Sequence, residues 1–170
     1  MTSRITADAG PLIGLARAGL LGILPRLYPA VEVPPAVVEE LRIAEDRPGS
    51  RALREARAAG WLVIVALESP ERVTELAHVV DRGEAEAILL AEERGSRFLL
   101  LDERRGRALA RSRSVAVVGT GGVLIVAKKR GLLPNVGRAL DTLADAGYRL
   151  SPRLRAEILG LAGESSGSTG

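Results

Sequence analysis

Short apolar runs, each long enough for a strand and no more, alternate with amphipathic helical patterns along the whole chain, and that alternation restricts it to few folds. Ile5–Ala7 reads as a first strand ending at Asp8, and "PLIGLARAGLLGIL" (11–24) has helical spacing opened by Pro11. "AVEV" (30–33) is a second strand, and Pro34-Pro35 starts a helix running through "AVVEELRIAE" to 45. A breaker at 46–50 precedes the helix "RALREARAAG", closed by Gly60, and "WLVIVAL" (61–67) is a third strand. Helices are expected over 71–80 and 81–95, a fourth strand at 98–101, and a short basic helix in "RRGRALARSR". "VAVVGT" (115–120) is the fifth strand, followed by a helix in "GGVLIVAKKRG" and two more at 136–147 and 152–162.

This order predicts an α/β fold of three layers, α/β/α, around a mostly parallel sheet of four to five strands. No internal repeat or break divides it, so one domain over 1–163 and a disordered Gly/Ser-rich tail at 164–170 are expected. Right-handed crossovers place the strand-end loops along one edge, and in such sheets sites lie beyond the carboxyl ends of the strands.

Composition removes several chemistries. There is no cysteine, so no disulfide, thiolate metal site or thiol nucleophile, and the lone His78 excludes a His-rich metal site. His78 is read as a surface helix residue. With one Trp, one Phe and two Tyr the core must be aliphatic, and base stacking on aromatic platforms is a poor prospect. Trp61 is expected at the core edge. The net charge of +3 is carried almost wholly by arginine, whose guanidinium pairs bidentately with phosphate. No targeting segment and no bilayer-length apolar stretch is present, so a soluble cytoplasmic protein without membrane association is the expectation.

Acidic residues stand where the predicted strands emerge. Asp8 follows the first strand, and Asp102 with Glu103 follows the fourth, in "RFLLLDERRG". Glu84 opens the helix that leads back into the fourth strand. From Glu84 to Gly95 a helix rises roughly 16 Å. The strand from Arg97 to Asp102 recovers about the same length, so Glu84 and Asp102 should meet at one rim. Taken singly, Asp8 and Asp102 read equally well as turn or cap residues, and Glu84 suits a helix's first turn through the macrodipole. Three independent caps have no reason to converge. Converging carboxylates repel unless a cation joins them, and hard Mg²⁺ or Mn²⁺ takes such oxygen ligands and assists phosphodiester cleavage.

The segments "DAGPLIGLARAGLL", "VPPAVVEEL", "DRGEAEAILLA", "LLLDERRGRALA" and "VVGTGGVLIVAKKRG", in this order and spacing, resemble a PIN domain over residues 4 to about 163. The resemblance is to small prokaryotic PIN-like proteins related to toxin-type (VapC-like) nucleases, whose acidic pair shares the 18-residue spacing of Glu84 and Asp102. It implies that Asp8, Glu40, Glu84 and Asp102 form a catalytic, metal-binding set for Mg²⁺ or Mn²⁺, with Glu103 as a fifth acid. Glu40 enters only through the resemblance, because Glu39 and Glu40 share one helix. Two positions depart from the family pattern: Gly10 stands where Ser or Thr is common, and Arg104 where toxin-type members often carry an acid.

The implied activity is metal-dependent endoribonuclease cleavage of single-stranded or structured RNA, as the toxin of a toxin–antitoxin pair with an antitoxin protein as partner. Arg104, Arg105, Arg107, Lys128, Lys129 and Arg130 are candidates for the RNA backbone, against a solvated helix face as the alternative. Thr120 is either a phosphate contact or a helix-start residue, and "GTGG" lacks the Lys-Ser/Thr of a P-loop. A homodimer through the apolar helices at 11–24 or 123–127 is expected. The competing reading is a catalytically weak or inactive PIN-like module that binds nucleic acid or a partner, motivated by Gly10 and Arg104. A phosphoacceptor domain would need an Asp after a central strand and a Lys after a later one; the strand "WLVIVAL" ends without an Asp, and both lysines lie inside a helix.

Overall fold

A computed structural model describes residues 4–165, so the expected tail lies almost wholly outside the described residues. Five strands form one sheet: β1 (Ile5–Ala7), β2 (Val31–Val33), β3 (Leu62–Ile64), β4 (Leu99–Leu100) and β5 (Val117–Val118). They are parallel throughout and ordered β3-β2-β1-β4-β5. The first three strands progress outward from β1 in one direction, and β4 and β5 progress from its other side. Chain order therefore reverses between β1 and β4, which creates the crevice where open α/β sheets bind ligands. Their register sets Ala7 beside Leu100, so Asp8 and Asp102 leave the sheet together on either side of that crevice.

Ten helices flank the sheet among the described residues, giving the three-layer α/β/α arrangement: α1 (Ala9–Arg17), α2 (Ile23–Leu27), α3 (Pro35–Leu41), α4 (Ser50–Ala58), α5 (Val73–Leu76), α6 (Arg82–Arg94), α7 (Arg104–Ser112), α8 (Thr120–Lys129), α9 (Val136–Asp145) and α10 (Pro152–Leu161). α6 packs against α3, α5 and α7, while α8 packs against α9 and α10. Ile5, Val31, Val33, Leu99 and Leu100 are wholly covered, in line with an aliphatic parallel sheet buried on both faces. No helix among the described residues is long and apolar enough to cross a membrane.

Several boundaries differ from the sequence expectation, each for a local reason. The helix expected over 11–24 is two helices. At Gly19 the backbone turns left-handed (φ 71), with Leu20 N–H donating to Leu15 O and Gly19 N–H to Ala16 O, which ends α1 in a Schellman motif. α3 stops at Leu41 rather than 45 because Arg42 is left-handed (φ 48). The expected helix at 71–80 is a 3-10 turn, Pro70–Arg72, followed by the four-residue α5. α6 matches its expected span, opened by an Asp81/Glu84 capping box and closed by left-handed Gly95. The strands are shorter than their apolar runs. Within the helices expected to offer a dimer surface, Leu12, Leu15, Leu24, Val123, Leu124 and Ala127 are fully buried in the chain's own core, while Ile13, Leu20 and Val126 are partly exposed. His78 is exposed, as expected, but lies in the turn after α5 rather than in a helix, and Trp61 is partly buried against the core, as expected.

Candidate active site

Asp8 is carried into the crevice by β1, whose ladder continues through Asp8 N–H to Leu100 O at 3.0 Å. The residue is 8% exposed, and its Oδ1 is buried without any hydrogen-bond partner. An orphaned carboxylate oxygen in a folded interior is unusual, because desolvation without compensation is costly. Other buried acids differ in this respect. Glu32 holds Arg94 in a two-pronged pair at 3.0 and 3.1 Å, and Glu86 accepts from Ala36 N–H at 2.9 Å.

Glu84 sits at the third position of α6 and is 7% exposed. Its amide donates to Asp81 Oδ1 at 2.8 Å, and its own Oε2 accepts from Asp81 N–H at 3.3 Å. The other oxygen lies against Gly106 of α7, where a Cβ would come to 3.0 Å. Glu40, in the last turn of α3, lays its carboxylate over Gly83 in the first turn of α6, in the space a side chain at Gly83 would need. Its neighbour Leu41 turns into the core. Asp102, half-buried at the end of β4, is held by α8: Thr120 N–H donates to Oδ1 at 2.8 Å and Thr120 Oγ1 donates to Oδ2 at 2.6 Å.

The electrostatics tie three of these groups to one another. Burial raises Asp8 from 3.8 to about 6; the Ala9 and Gly10 amides oppose this, and the charges of Asp81 and Asp102 add to it. Glu84 rises from 4.5 to about 7, by burial first, with contributions from Asp81, Asp8 and Glu103. Glu40 also rises to about 7, by desolvation, Asp8 and Asp81 in that order. The Glu40 residue as a whole is exposed, but its titrating end is the part covered by α6. Asp8 is thus the common neighbour of Glu40, Glu84 and Asp102. Asp81 acts on Asp8, Glu40 and Glu84, and sequence reasoning missed it. The D-x-x-E capping box was its signal, but that pattern by itself announces only a helix start.

The remaining expected residues divide by position. Glu103 caps α7, accepting from Gly106 N–H at 2.8 Å; that amide holds its carboxyl below the ordinary range. Arg104 and Arg105 are exposed on the first turn of α7, and half-buried Arg107 donates to Leu101 O at 2.9 Å. Arg149, which sequence reasoning did not single out, lines a shallow cavity of about 380 Å³ together with Asp8, Asp102 and Glu103. Thr120 has both donors engaged by Asp102 and holds that carboxylate in one orientation. Lys128, Lys129 and Arg130 lie at the far end of α8, about 15 Å along the helix from Thr120. Lys128 is paired with Glu164 at 2.8 Å, and Arg130 acts on Tyr28 beside Arg97, at the amino-terminal edge of the sheet. Those three cations therefore do not border the crevice.

The donor set is all oxygen, which suits a hard divalent cation, and the orphaned Asp8 oxygen and raised carboxyls record a local shortage of positive charge. The set is not drawn into a coordination shell: among the described residues no three His, Cys, Asp or Glu side chains are grouped closely enough to hold a metal ion.

No curated protein and no solved structure matches the chain significantly. A family model described as a PIN domain matches residues 4–164, which takes in every strand and helix of the fold. With its parallel sheet, its reversal of strand order and the carboxylates gathered at that point, this chain belongs to the PIN domain family and has a nuclease-type fold.

Proposed function

We propose that this protein is a metal-dependent endoribonuclease in which Asp8, Glu40, Glu84 and Asp102 hold Mg²⁺ or Mn²⁺ beside an RNA phosphodiester. The observation that carries the reading is the partnerless, buried Oδ1 of Asp8 at the point where strand order reverses, with carboxyls on either side. A divalent ion bound there supplies charge to the scissile phosphate and acidifies a water nucleophile.

The chain's own residues perform the rest. Glu40 and Glu84, both raised to about 7, are partly protonated at neutral pH and would give up those protons on binding a cation. Afterwards they are available as acceptors close to the reacting phosphate. Asp102 is kept in one orientation by Thr120, and that restraint favours a fixed ligand geometry. Arg104, Arg105 and Arg107 bring positive charge to the rim through α7, where a phosphate backbone is held. Glu103 contributes as the anchor of that helix and as an ionised neighbour of Glu84.

The test is cleavage of single-stranded RNA with Mg²⁺ or Mn²⁺ by the wild type, Asp8→Asn and Asp102→Asn. Loss of turnover in both variants is expected, and undiminished cleavage by both overturns the assignment. A second reading, an RNA-binding module without turnover, is favoured by Asp102, whose two oxygens are already engaged, and by the dispersed acids. It predicts salt-sensitive binding with no metal-dependent product. The toxin role, an antitoxin partner and a homodimer rest on family resemblance. Growth arrest on expression, relieved by Asp8→Asn, tests the first of them.

A further inference from the structure

Beside the acidic crevice lies a second cavity of about 520 Å³, bounded by α7, β5, α8 and α10. It shares Asp102 and Tyr148 with the shallow cavity over Asp8, so the two spaces adjoin across those two side chains. One wall is cationic. Arg104, Arg107 and Arg111 fall at i, i+3 and i+7 on a single face of α7, spread over roughly 10 Å. The side chains of Arg104 and Arg111 make no hydrogen bond or ion pair with another described residue, and Asp102 is the one acid in the cavity lining. The floor is apolar: Val118, Ile125 and Ile158, with Leu154 at its lip 45% exposed. Tyr148 is half-buried, packed over Gly14 of α1, and its hydroxyl lies beside Thr120 and Asp102.

An occupant must therefore be anionic on one side and flat or apolar on the other, and must continue into the carboxylate crevice. We propose that this cavity is a nucleotide subsite: it takes the base of a residue flanking the scissile phosphodiester against Tyr148 and the aliphatic floor, while Arg104 and Arg111 hold the adjoining phosphates. The proposal rests on the nuclease reading for the identity of the polymer and extends it to a position where a base is sensed. Aromatic faces and guanidinium planes are the usual platforms for unstacked RNA bases. An acidic peptide is the competing occupant. The exposed sheet edge here, β5, is two residues long and offers too short a ladder for an added peptide strand.

The experiment measures binding, in EDTA, of single-stranded RNAs about eight nucleotides long, intact or with one abasic ribose placed at successive positions. Wild type should bind the intact strand roughly tenfold more tightly than one abasic partner. Tyr148→Ala should erase that difference, and Tyr148→Phe, which keeps the ring, should retain it. Arg111→Ala should weaken intact and abasic strands alike and reduce the salt slope by about 0.7. Leu154→Glu, a change at an exposed position with no core to disturb, should weaken both strands even if Tyr148→Ala fails to fold. The subsite is overturned if wild type binds every abasic strand as tightly as the intact one, if Tyr148→Ala still discriminates between them, or if an acidic peptide binds where RNA does not. Cleavage with Mn²⁺ in the same preparations reports separately on the nuclease reading. Turnover without base dependence removes the subsite alone, and base-dependent binding without turnover removes the nuclease alone.

Discussion

Both carboxylate oxygens of Asp102 accept hydrogen bonds from Thr120, one from its amide at 2.8 Å and one from its hydroxyl at 2.6 Å, so the end of β4 is fastened to the start of α8. Hydrogen bonds to a charged group contribute about 1.5–3 kcal/mol. Thr120→Val removes the hydroxyl while keeping shape and should lower unfolding free energy by about 2 kcal/mol. Urea denaturation measures this. RNA turnover should fall with it, because Asp102 is no longer held in one rotamer.

Asp8, Glu40 and Glu84 bind protons more tightly in the folded chain than in the unfolded one. Stability without metal should therefore fall as pH rises from about 4, where the unfolded carboxyls ionise, through about 7, where the folded ones do. Asp8 alone accounts for on the order of 3 kcal/mol at most, and the more exposed Glu40 for less. Thermal melts at pH 5 and pH 8 in EDTA check the sign. Added Mn²⁺ at pH 8 should restore the lost stability, with proton release on binding measurable by calorimetry in two buffers.

Asp8→Asn removes a buried charge whose Oδ1 has no hydrogen-bond partner. It should raise the melting temperature at pH 8 in EDTA by several degrees, since about 1 kcal/mol shifts a domain of this size by a few degrees. The same variant should lose the stabilisation by Mn²⁺. Opposed effects of this kind mark a residue retained for chemistry rather than for folding.

Gly83→Ala should separate geometry from stability. The added methyl occupies the place of the Glu40 carboxylate, but that group ends a flexible side chain and can swing away. The expected outcome is a change within about 1 kcal/mol, since alanine also suits the helix. Cleavage should drop as Glu40 leaves the acid set, and comparison with Glu40→Gln tests whether the two losses coincide.

Gly10→Ser should be accepted. A Cβ at Gly10 meets only Asp8 Oδ2, at 3.8 Å, and the residue lies inside α1 with ordinary helical backbone. Serine should stabilise the helix by a few tenths of a kcal/mol over glycine. Its hydroxyl provides the donor that many family members carry there, so Mn²⁺ affinity, measured by calorimetry, should be unchanged or higher.

Part of this was legible in the linear chain. α6 could be read end to end because its signals are local: Asp81 and Glu84 cap it within four residues, and Gly95 stops it by its own backbone freedom. Asp8 and Asp102 could be placed because a strand must emerge somewhere, and an apolar run that ends on a carboxylate says where. The two-helix break at Gly19 was hidden by an apolar pattern that continues across it, since Leu20 and Leu21 of the turn and Leu24 of α2 pack into the same core as α1.

The sequence alone determined the α/β alternation, the aliphatic buried sheet and the acids at the strand ends, because periodicity and strand termination are local properties. Tertiary structure decided the rest. The reversal of strand order at β1 and β4 chose which ends form the crevice, and the packing of α3 on α6 brought Glu40 over Gly83. It turned Thr120 toward Asp102, sent Lys128 to the far end of α8, and stood Tyr148 between two cavities. Those relationships join residues distant in the chain, and their energies exist only once the layers have packed.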